Sequence, residues 1–358
     1  MNITKQYDRA LRKGCYRLID RYTGLIDIRP PEVLAYEELD KNFNANKKII
    51  LYIGIKYDYG KKNWGLSFEH YNFYHTFLNM NYSVIYFDYD RLKQKYGRKK
   101  MSRVLLEAVY YYQPEILFYF HFHDWVEHEV WKEITNMLPT KTIIWLADDH
   151  WRYEETKPVW ELFNLIITTD KNGCEKRKKK GYDNVLLSQW GYNHFLYRNI
   201  NFPKIYDVSF VGRCYGRRKK FIDTLKNYGI QIITFGQGWN NGERISQSDL
   251  IKIYNQSKIV LNISFSSKGN TIQIKGRDFE VPGCGSLLLT KDSEGISRYF
   301  VPNKEIVVYE DENDAVSKIK YYLKNEAARE RIAKNGYERV LKDHTYEKRF
   351  LDILNFID

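Results

Sequence analysis

The run Lys275-Gly276-Arg277-Asp278-Phe279-Glu280-Val281-Pro282-Gly283-Cys284-Gly285 puts cations and carboxylates at the start of a helix. A Pro/Gly/Cys/Gly turn and the apolar run Leu287-Leu288-Leu289 follow. Lys275 and Arg277 suit diphosphate oxygens, because charge-assisted bonds to phosphate are strong and, for arginine, can be bidentate. Glu280 suits the hydroxyls of a ribose, the role an acid plays in dinucleotide sites. Gly283 and Gly285 would let backbone approach a ligand closely. The set reads as a diphosphate-and-ribose cradle and makes a nucleotide-sugar enzyme the first hypothesis. The plain alternative is a first turn with its charges in water.

A second candidate is Gly212-Arg213-Cys214-Tyr215-Gly216-Arg217-Arg218, between a strand and a helix. Backbone N–H groups at such a turn favour phosphate, and the arginines add charge. The pattern is neither GxGxxG nor a Walker loop, so a βα turn with a solvated basic face is its rival reading.

Three further clusters sit just after strand-like runs. Asp148-Asp149-His150-Trp151 could deprotonate an acceptor hydroxyl, with Asp149 preferred over Asp148, or one aspartate could cap the next helix. His121-Phe122-His123-Asp124-Trp125 invites a metal reading, but alternation along a strand would send the two histidines to opposite faces. A polar loop lining an acceptor cleft is preferred, and no metal is expected. Tyr57-Asp58-Tyr59-Gly60-Lys61-Lys62-Asn63-Trp64-Gly65 offers aromatics that could stack on sugar rings, or is a plain loop. The basic run from Lys171 to Lys180 reads as a solvated helix face, with an anionic lipid surface as the alternative.

These residues need elements to position them. From residue 49 onward, runs apolar on both faces alternate with helical patterns: 49–54, 82–87, 115–120, 142–146, 165–169 and 185–188. The alternation restarts at 207–212 and continues through 232–235, 259–263, 286–290 and 305–309. Such strands belong to parallel sheets covered on both sides. An α/β protein with two facing Rossmann-like domains follows, with ligands beyond the carboxyl ends of the strands. The expected division is a basic helical appendage over 1–48, a first domain over 49–200, a second over 201–345 and a terminal helix over 346–358 that crosses back.

The 358 residues carry a net charge of +12, which draws phosphorylated small molecules, anionic lipid or nucleic acid. Nucleic acid is not expected, because no known module and no aromatic interleaving accompany the charge. No run approaches the roughly 18–20 apolar residues of a membrane span. The first residues lack a signal-peptide core, so a cytoplasmic location is expected, with peripheral contact at the inner membrane face as an option for the basic helix over 5–20. Four separated cysteines (Cys15, Cys174, Cys214, Cys284) read as reduced thiols.

The segments Arg277–Gly285, Leu287–Thr290, Tyr299-Phe300, Glu305–Val307, Tyr321–Leu323 and His344–Phe350 together resemble the CgeB-like, spore-maturation-type glycosyltransferases, related to family 4. Asp207–Gly212, Phe235-Gly236-Gln237-Gly238-Trp239 and Trp145–Trp151 extend the resemblance over about 140–350. It implies a GT-B fold and metal-independent transfer from a nucleotide-sugar, with UDP expected and GDP or TDP as alternatives, to a glycan or glycoconjugate. It assigns Gly212, Arg213 and Arg218 to the donor diphosphate, with Arg217 as rival for the last, adds Gly238 to the donor loop, and gives Glu280 the ribose. The family-4 group carries a second acid eight positions before Glu280; here that position is Ile272. A sugar-nucleotide epimerase and a non-catalytic nucleotide- or polyanion-binding scaffold are the rival functions.

Overall fold

The computed structural model describes residues 47–239, 242, 244–265, 271–293 and 295–357. The expected basic helix over 5–20 lies outside them. The described chain divides into two units, with the break between Gln189 and Trp190 and with residues 353–357 grouped with the first unit.

The first unit is a six-stranded parallel sheet: β1 (Ile49–Gly54), β2 (Ser83–Asp88), β3 (Ile116–His121), β4 (Lys141–Leu146), β5 (Leu165–Thr168) and β6 (Val185–Leu187), in the order β2-β1-β3-β4-β5-β6. β1 to β3 are buried along their whole length, because helices cover both faces of a parallel sheet. The helices are α1 (His75–Asn79), α2 (Tyr89–Tyr112), α3 (His128–Met137), α4 (Asp149–Arg152) and α5 (Lys171–Lys179). Asp88 and Asp170 cap α2 and α5 by accepting the amides of Arg91 and Gly173. A π-helical turn, His70–Tyr74, leads into α1, where the sequence pattern predicts plain helix. Gly97 takes φ +77 and breaks α2 internally.

The second unit holds β7 (Tyr206–Val211), β8 (Ile232–Phe235), β9 (Ser257–Asn262), β10 (Leu287–Lys291) and β11 (Val307–Tyr309), all parallel, in the order β11-β10-β9-β7-β8. Its helices are α6 (Arg218–Asn227), α7 (Gln247–Gln256), α8 (Arg277–Gly283), α9 (Glu312–Lys324), α10 (Glu326–Asp343) and the first half of α11 (Tyr346–Ile357), whose last turn is grouped with the first unit. The final strand begins at Val307 rather than Glu305, because Ile306 is spent in an isolated bridge to Pro302. In each sheet the chain leaves two adjacent strands in opposite directions, β1 and β3 in the first and β7 and β9 in the second. Ligands of open α/β sheets bind at the carboxyl ends of such pairs.

One ion pair is sealed inside the first unit. Arg177 reaches Asp149 through two bonds, Nη1 to Oδ2 at 2.6 Å and Nη2 to Oδ1 at 2.7 Å, and both side chains are 0% exposed. Thr168 Oγ1 donates to the same carboxylate at 2.6 Å. The guanidinium packs over Trp160 and Tyr153, 4.4 and 4.7 Å from their centroids. Removing one partner of such a pair strands a buried charge. Arg177→Met is therefore expected to cost about 3–5 kcal/mol, seen as a lowered urea midpoint, whereas Arg177→Met with Asp149→Leu should recover part of that loss.

Candidate functional site

In the second unit the end of β7 carries Gly212, and two guanidinium groups meet there. A methyl group placed on Gly212 would lie 2.9 Å from Arg277 Nη2 and 3.5 Å from Arg218 Nη1. Arg218 comes from the first residue of α6 and is buried; Arg277 comes from the first residue of α8. Both stand over the Phe210 ring, at 5.6 and 5.4 Å. Burial and the nearby Arg277 charge pull the Arg218 pKa down to about 10, so it remains a cation at neutral pH. Arg218 Nη1 donates to the Arg213 carbonyl at 3.0 Å, and its buried Nε has no partner among the described residues. Two like charges held this close favour an anion between them.

Asp278 sets this arrangement. Its buried carboxylate accepts the Lys275 amide at 2.8 Å, Asn262 Nδ2 at 2.7 Å and Thr290 Oγ1 at 2.7 Å. The α8 start is thus tied to the ends of β9 and β10. The other face of Asn262, Oδ1, accepts Arg277 Nη1 at 2.8 Å and aims that guanidinium towards Gly212. Neither Asp278 nor Asn262 stands out in the sequence as a site residue. The signal available was an acid inside the cation-rich run, read there as part of a charged turn.

Glu280 lies on the same helix and is only 5% exposed, not in a solvated first turn. Its Oε1 accepts from Tyr197 Oη at 2.8 Å, and Gln247 donates to that hydroxyl at 2.6 Å. Burial raises the Glu280 pKa to about 7, against the lowering effects of Tyr197 and Arg277. Lys275 Nζ donates to Gln273 Oε1 at 2.8 Å. Ile272, in the position of the absent acid, forms a bridge with Phe265.

The remaining predicted positions separate by burial. Arg213 and Arg217 are exposed, so the buried Arg218 and not its neighbour joins Arg277. Gly238 takes φ +90 and packs on Cys214, while Trp239 Nε1 donates to the Gly212 carbonyl at 2.8 Å, so the loop after β8 braces the loop after β7. One assignment requires correction. Gly283 is a glycine because a side chain there would strike the Tyr192 ring at 2.5 Å. Gly285 turns the chain at φ +70 against Asn199. Gly283 is thus buried against a ring rather than open to a ligand.

In the first unit the expected base, Asp149, is not placed to act as one. Asp149 is sealed in the ion pair with Arg177 and has no oxygen open to an acceptor. Asp148 is half-buried at the end of β4 in a left-handed conformation, φ +53 and ψ 32, and makes no side-chain capping bond. Strained non-glycine residues of this kind cluster at functional sites. His150 is half-buried on α4. His121 is 1% exposed, and burial lowers its pKa to about 3. His128 instead meets Asp124 at 2.9 Å. Among the described residues no group of three or more His, Cys, Asp or Glu could hold a metal ion. No helix there is long and apolar enough to cross a membrane.

A further buried acid lies in this unit. Glu69, at the entry to the π-helical turn, is 5% exposed, and its Oε1 has no partner among the described residues. Burial, reinforced by the charges of Asp58 and Asp88, raises its pKa to about 8.

The two parallel sheets with their strand orders define an α/β protein of the GT-B fold. A family model described as "Glycosyl transferase-like" matches residues 217–355, from Arg217 through α8 into α11. No curated protein matches the chain. Among solved structures, a glycosyltransferase from Rickettsia africae is similar at 12% identity and a TM-score of 0.60, covering 87% of this chain and 98% of that one. Anabaena HepE, solved with UDP and glucose, aligns at 11% identity and 0.57, covering 86% and 100%. An α-glucosyltransferase in complex with UDP-glucose and DNA containing an abasic site aligns at 11% and 0.57, covering 87% and 99%.

The Glu69 carboxyl gives a stability prediction. Its protonated form suits the fold, so its contribution is full below pH 4.5 and is lost as the pH rises through about 8. Glu69→Gln, which cannot ionise, should be more stable than the parent at pH 8 and little different at pH 4.5 in urea titrations. Parallel pH profiles for the two proteins would contradict this burial argument.

Proposed function

We propose that the protein is a glycosyltransferase that moves a sugar from a nucleotide-diphosphate sugar to a glycan or glycoconjugate acceptor, as a CgeB-like relative of family 4. The observation that carries this reading is the meeting of Arg218 and Arg277 at Gly212, beyond the switch point of the second sheet. The glycosyl transferase-like match over 217–355 supports it, since it spans both arginines and Glu280.

In this reading Arg218 and Arg277 hold the diphosphate, with Arg213, Arg217 and Lys275 adding positive potential around it. Glu280 accepts from a ribose hydroxyl while Tyr197 orients it. The acceptor oxygen bonds to the anomeric carbon as the bond from that carbon to the diphosphate oxygen breaks. The electron pair leaves on the diphosphate, where the guanidinium groups stabilise the growing charge without a metal ion. The acceptor proton passes to a base in the first unit, for which Asp148 and His150 are the proposed residues. UDP is the expected nucleotide, with GDP and TDP as alternatives. The exposed lysines of α5 would allow peripheral contact with an anionic membrane surface from the cytoplasmic side.

Calorimetry with UDP tests the donor site. Arg218→Met and Glu280→Ala should each weaken UDP binding about tenfold or more, the range for removing a charge-assisted bond, with unchanged circular dichroism. Affinity equal to the parent in both variants would remove these assignments. Thermal shifts with UDP, GDP and TDP rank the base.

Chromatography of a UDP-sugar incubation tests the activity. Free UDP together with a glycosylated acceptor is the expected outcome. An isomerised sugar still attached to UDP would instead indicate an epimerase, and no nucleotide binding at all would indicate a scaffold.

A further inference from the structure

The first residues of the second unit are fastened at two places. Tyr192 N donates to His344 O at 3.2 Å and Tyr346 N donates to Tyr192 O at 3.1 Å, which staples the segment to the start of α11. Further on, Asn255 of α7 donates from Nδ2 to Arg198 O at 3.0 Å and accepts the Ile200 amide on Oδ1 at 2.6 Å. Tyr197 lies between the two fastenings, and its own amide donates to Asn193 O at 2.8 Å. The residue is only 2% exposed, so its hydroxyl is held in one place.

That hydroxyl has one proton, and Glu280 Oε1 takes it at 2.8 Å. Gln247 Nε2, from the half-buried first residue of α7, donates to the same hydroxyl at 2.6 Å. A hydroxyl that accepts a hydrogen bond donates a stronger one, so the carboxamide reinforces the bond to the acid. Oε1 is therefore occupied by the protein, and Oε2 is the oxygen left to a ligand. The charged and titratable groups that face Glu280 among the described residues are Tyr197, Tyr254 on α7, Arg277 and Asp278 on α8, Cys284 just beyond it and Tyr346 at the start of α11. Burial raises the three phenols and the thiol, so they stay protonated around neutrality. Burial also brings the Glu280 carboxyl up to about 7, with the Tyr197 bond the first influence pulling it back down.

An ionised Oε2 can accept from both neighbouring hydroxyls of a ribose, whereas a protonated Oε2 presents its own proton and loses that double acceptance. We propose that Tyr197 and Glu280 form a proton-gated reader of the ribose, which favours ribonucleoside diphosphates over their deoxyribose counterparts only while Glu280 is ionised. Tyr197 is the positioning residue of this gate: it fills one oxygen and favours the charged form of the acid. The inference rests on the donor-site reading and deepens it, because it ranks thymidine nucleotides, whose sugar is a deoxyribose, below UDP and GDP. The ionised form takes the hydroxyls, so the preference for ribose rises with pH and is lost as the pH falls through about 7.

Calorimetry on the full-length protein with UDP and with 2′-deoxy-UDP, from about pH 5.5 to about pH 8.5, tests the gate. The two nucleotides carry the same diphosphate, so its own titration cancels in the ratio of their affinities. The parent should prefer UDP about tenfold at the upper end and about twofold at the lower. In Tyr197→Phe, which keeps the ring, the rise in preference should move about one pH unit higher. Gln247→Leu should move it the same way by a smaller amount, and it carries the test if Tyr197→Phe does not fold. Glu280→Gln, which cannot ionise, should show a weak preference that is flat with pH. A preference that is independent of pH in the parent, or profiles for both Tyr197→Phe and Gln247→Leu that coincide with the parent's, overturns the gate and leaves the donor site standing. A parent that binds neither nucleotide at any pH removes the donor reading and the gate with it.

Discussion

The Asp278 carboxylate is the constraint on which the second unit's site depends. It is buried, and all its hydrogen bonds go to groups that define where α8 begins. Burial raises its pKa, and the lowering contributions come from the Lys275 amide, the Thr290 hydroxyl and the Asn262 carboxamide ahead of the Arg277 charge. That choice matters. A cation spent on neutralising Asp278 would be unavailable to a ligand. Because neutral donors satisfy the acid, Arg277 is left to reach Asn262 and Gly212. A buried polar network that is fully satisfied fixes a unique geometry, which is what a phosphate-sized anion requires of two guanidinium groups.

The first unit uses the opposite solution. Asp149 is neutralised outright by Arg177, and the pair serves the fold. Both acids sit near the carboxyl end of a parallel sheet and both are fully buried. The contrast lies in their partners: neutral donors around Asp278 leave a neighbouring cation available, whereas the cation bonded to Asp149 consumes it. Net charge of +12 therefore says little about where binding occurs. The informative cations are the few that are buried without a carboxylate.

Much of the fold was legible because strands buried on both faces have a simple signature. Ile49–Gly54 and Tyr206–Val211 announce themselves as continuous apolar runs between helical patterns. The π-helical turn at His70–Tyr74 was not legible, since one extra residue in a turn leaves the apolar spacing almost unchanged. In the site, Gly212, Arg218 and Arg277 could be picked from residue type and position. The choice between Arg217 and Arg218 could not, because it depends on the rotation of α6 against β7. Asp149 was misjudged for a related reason. Its partner is 28 residues away, inside a lysine-rich run that reads as a solvated face, and only Arg177 of its cations is turned inward. Gly283 was misjudged because the ring that requires it, Tyr192, is remote in sequence.

The grouping of residues 353–357 with the first unit has a consequence for biosynthesis. Ile353 and Leu354 are buried, so they contribute apolar surface to a folded body. The ribosome makes them only after all of the second unit, at about 5–20 residues per second. The first unit therefore emerges early but is joined by residues 353–357 only once the rest of the chain has been made.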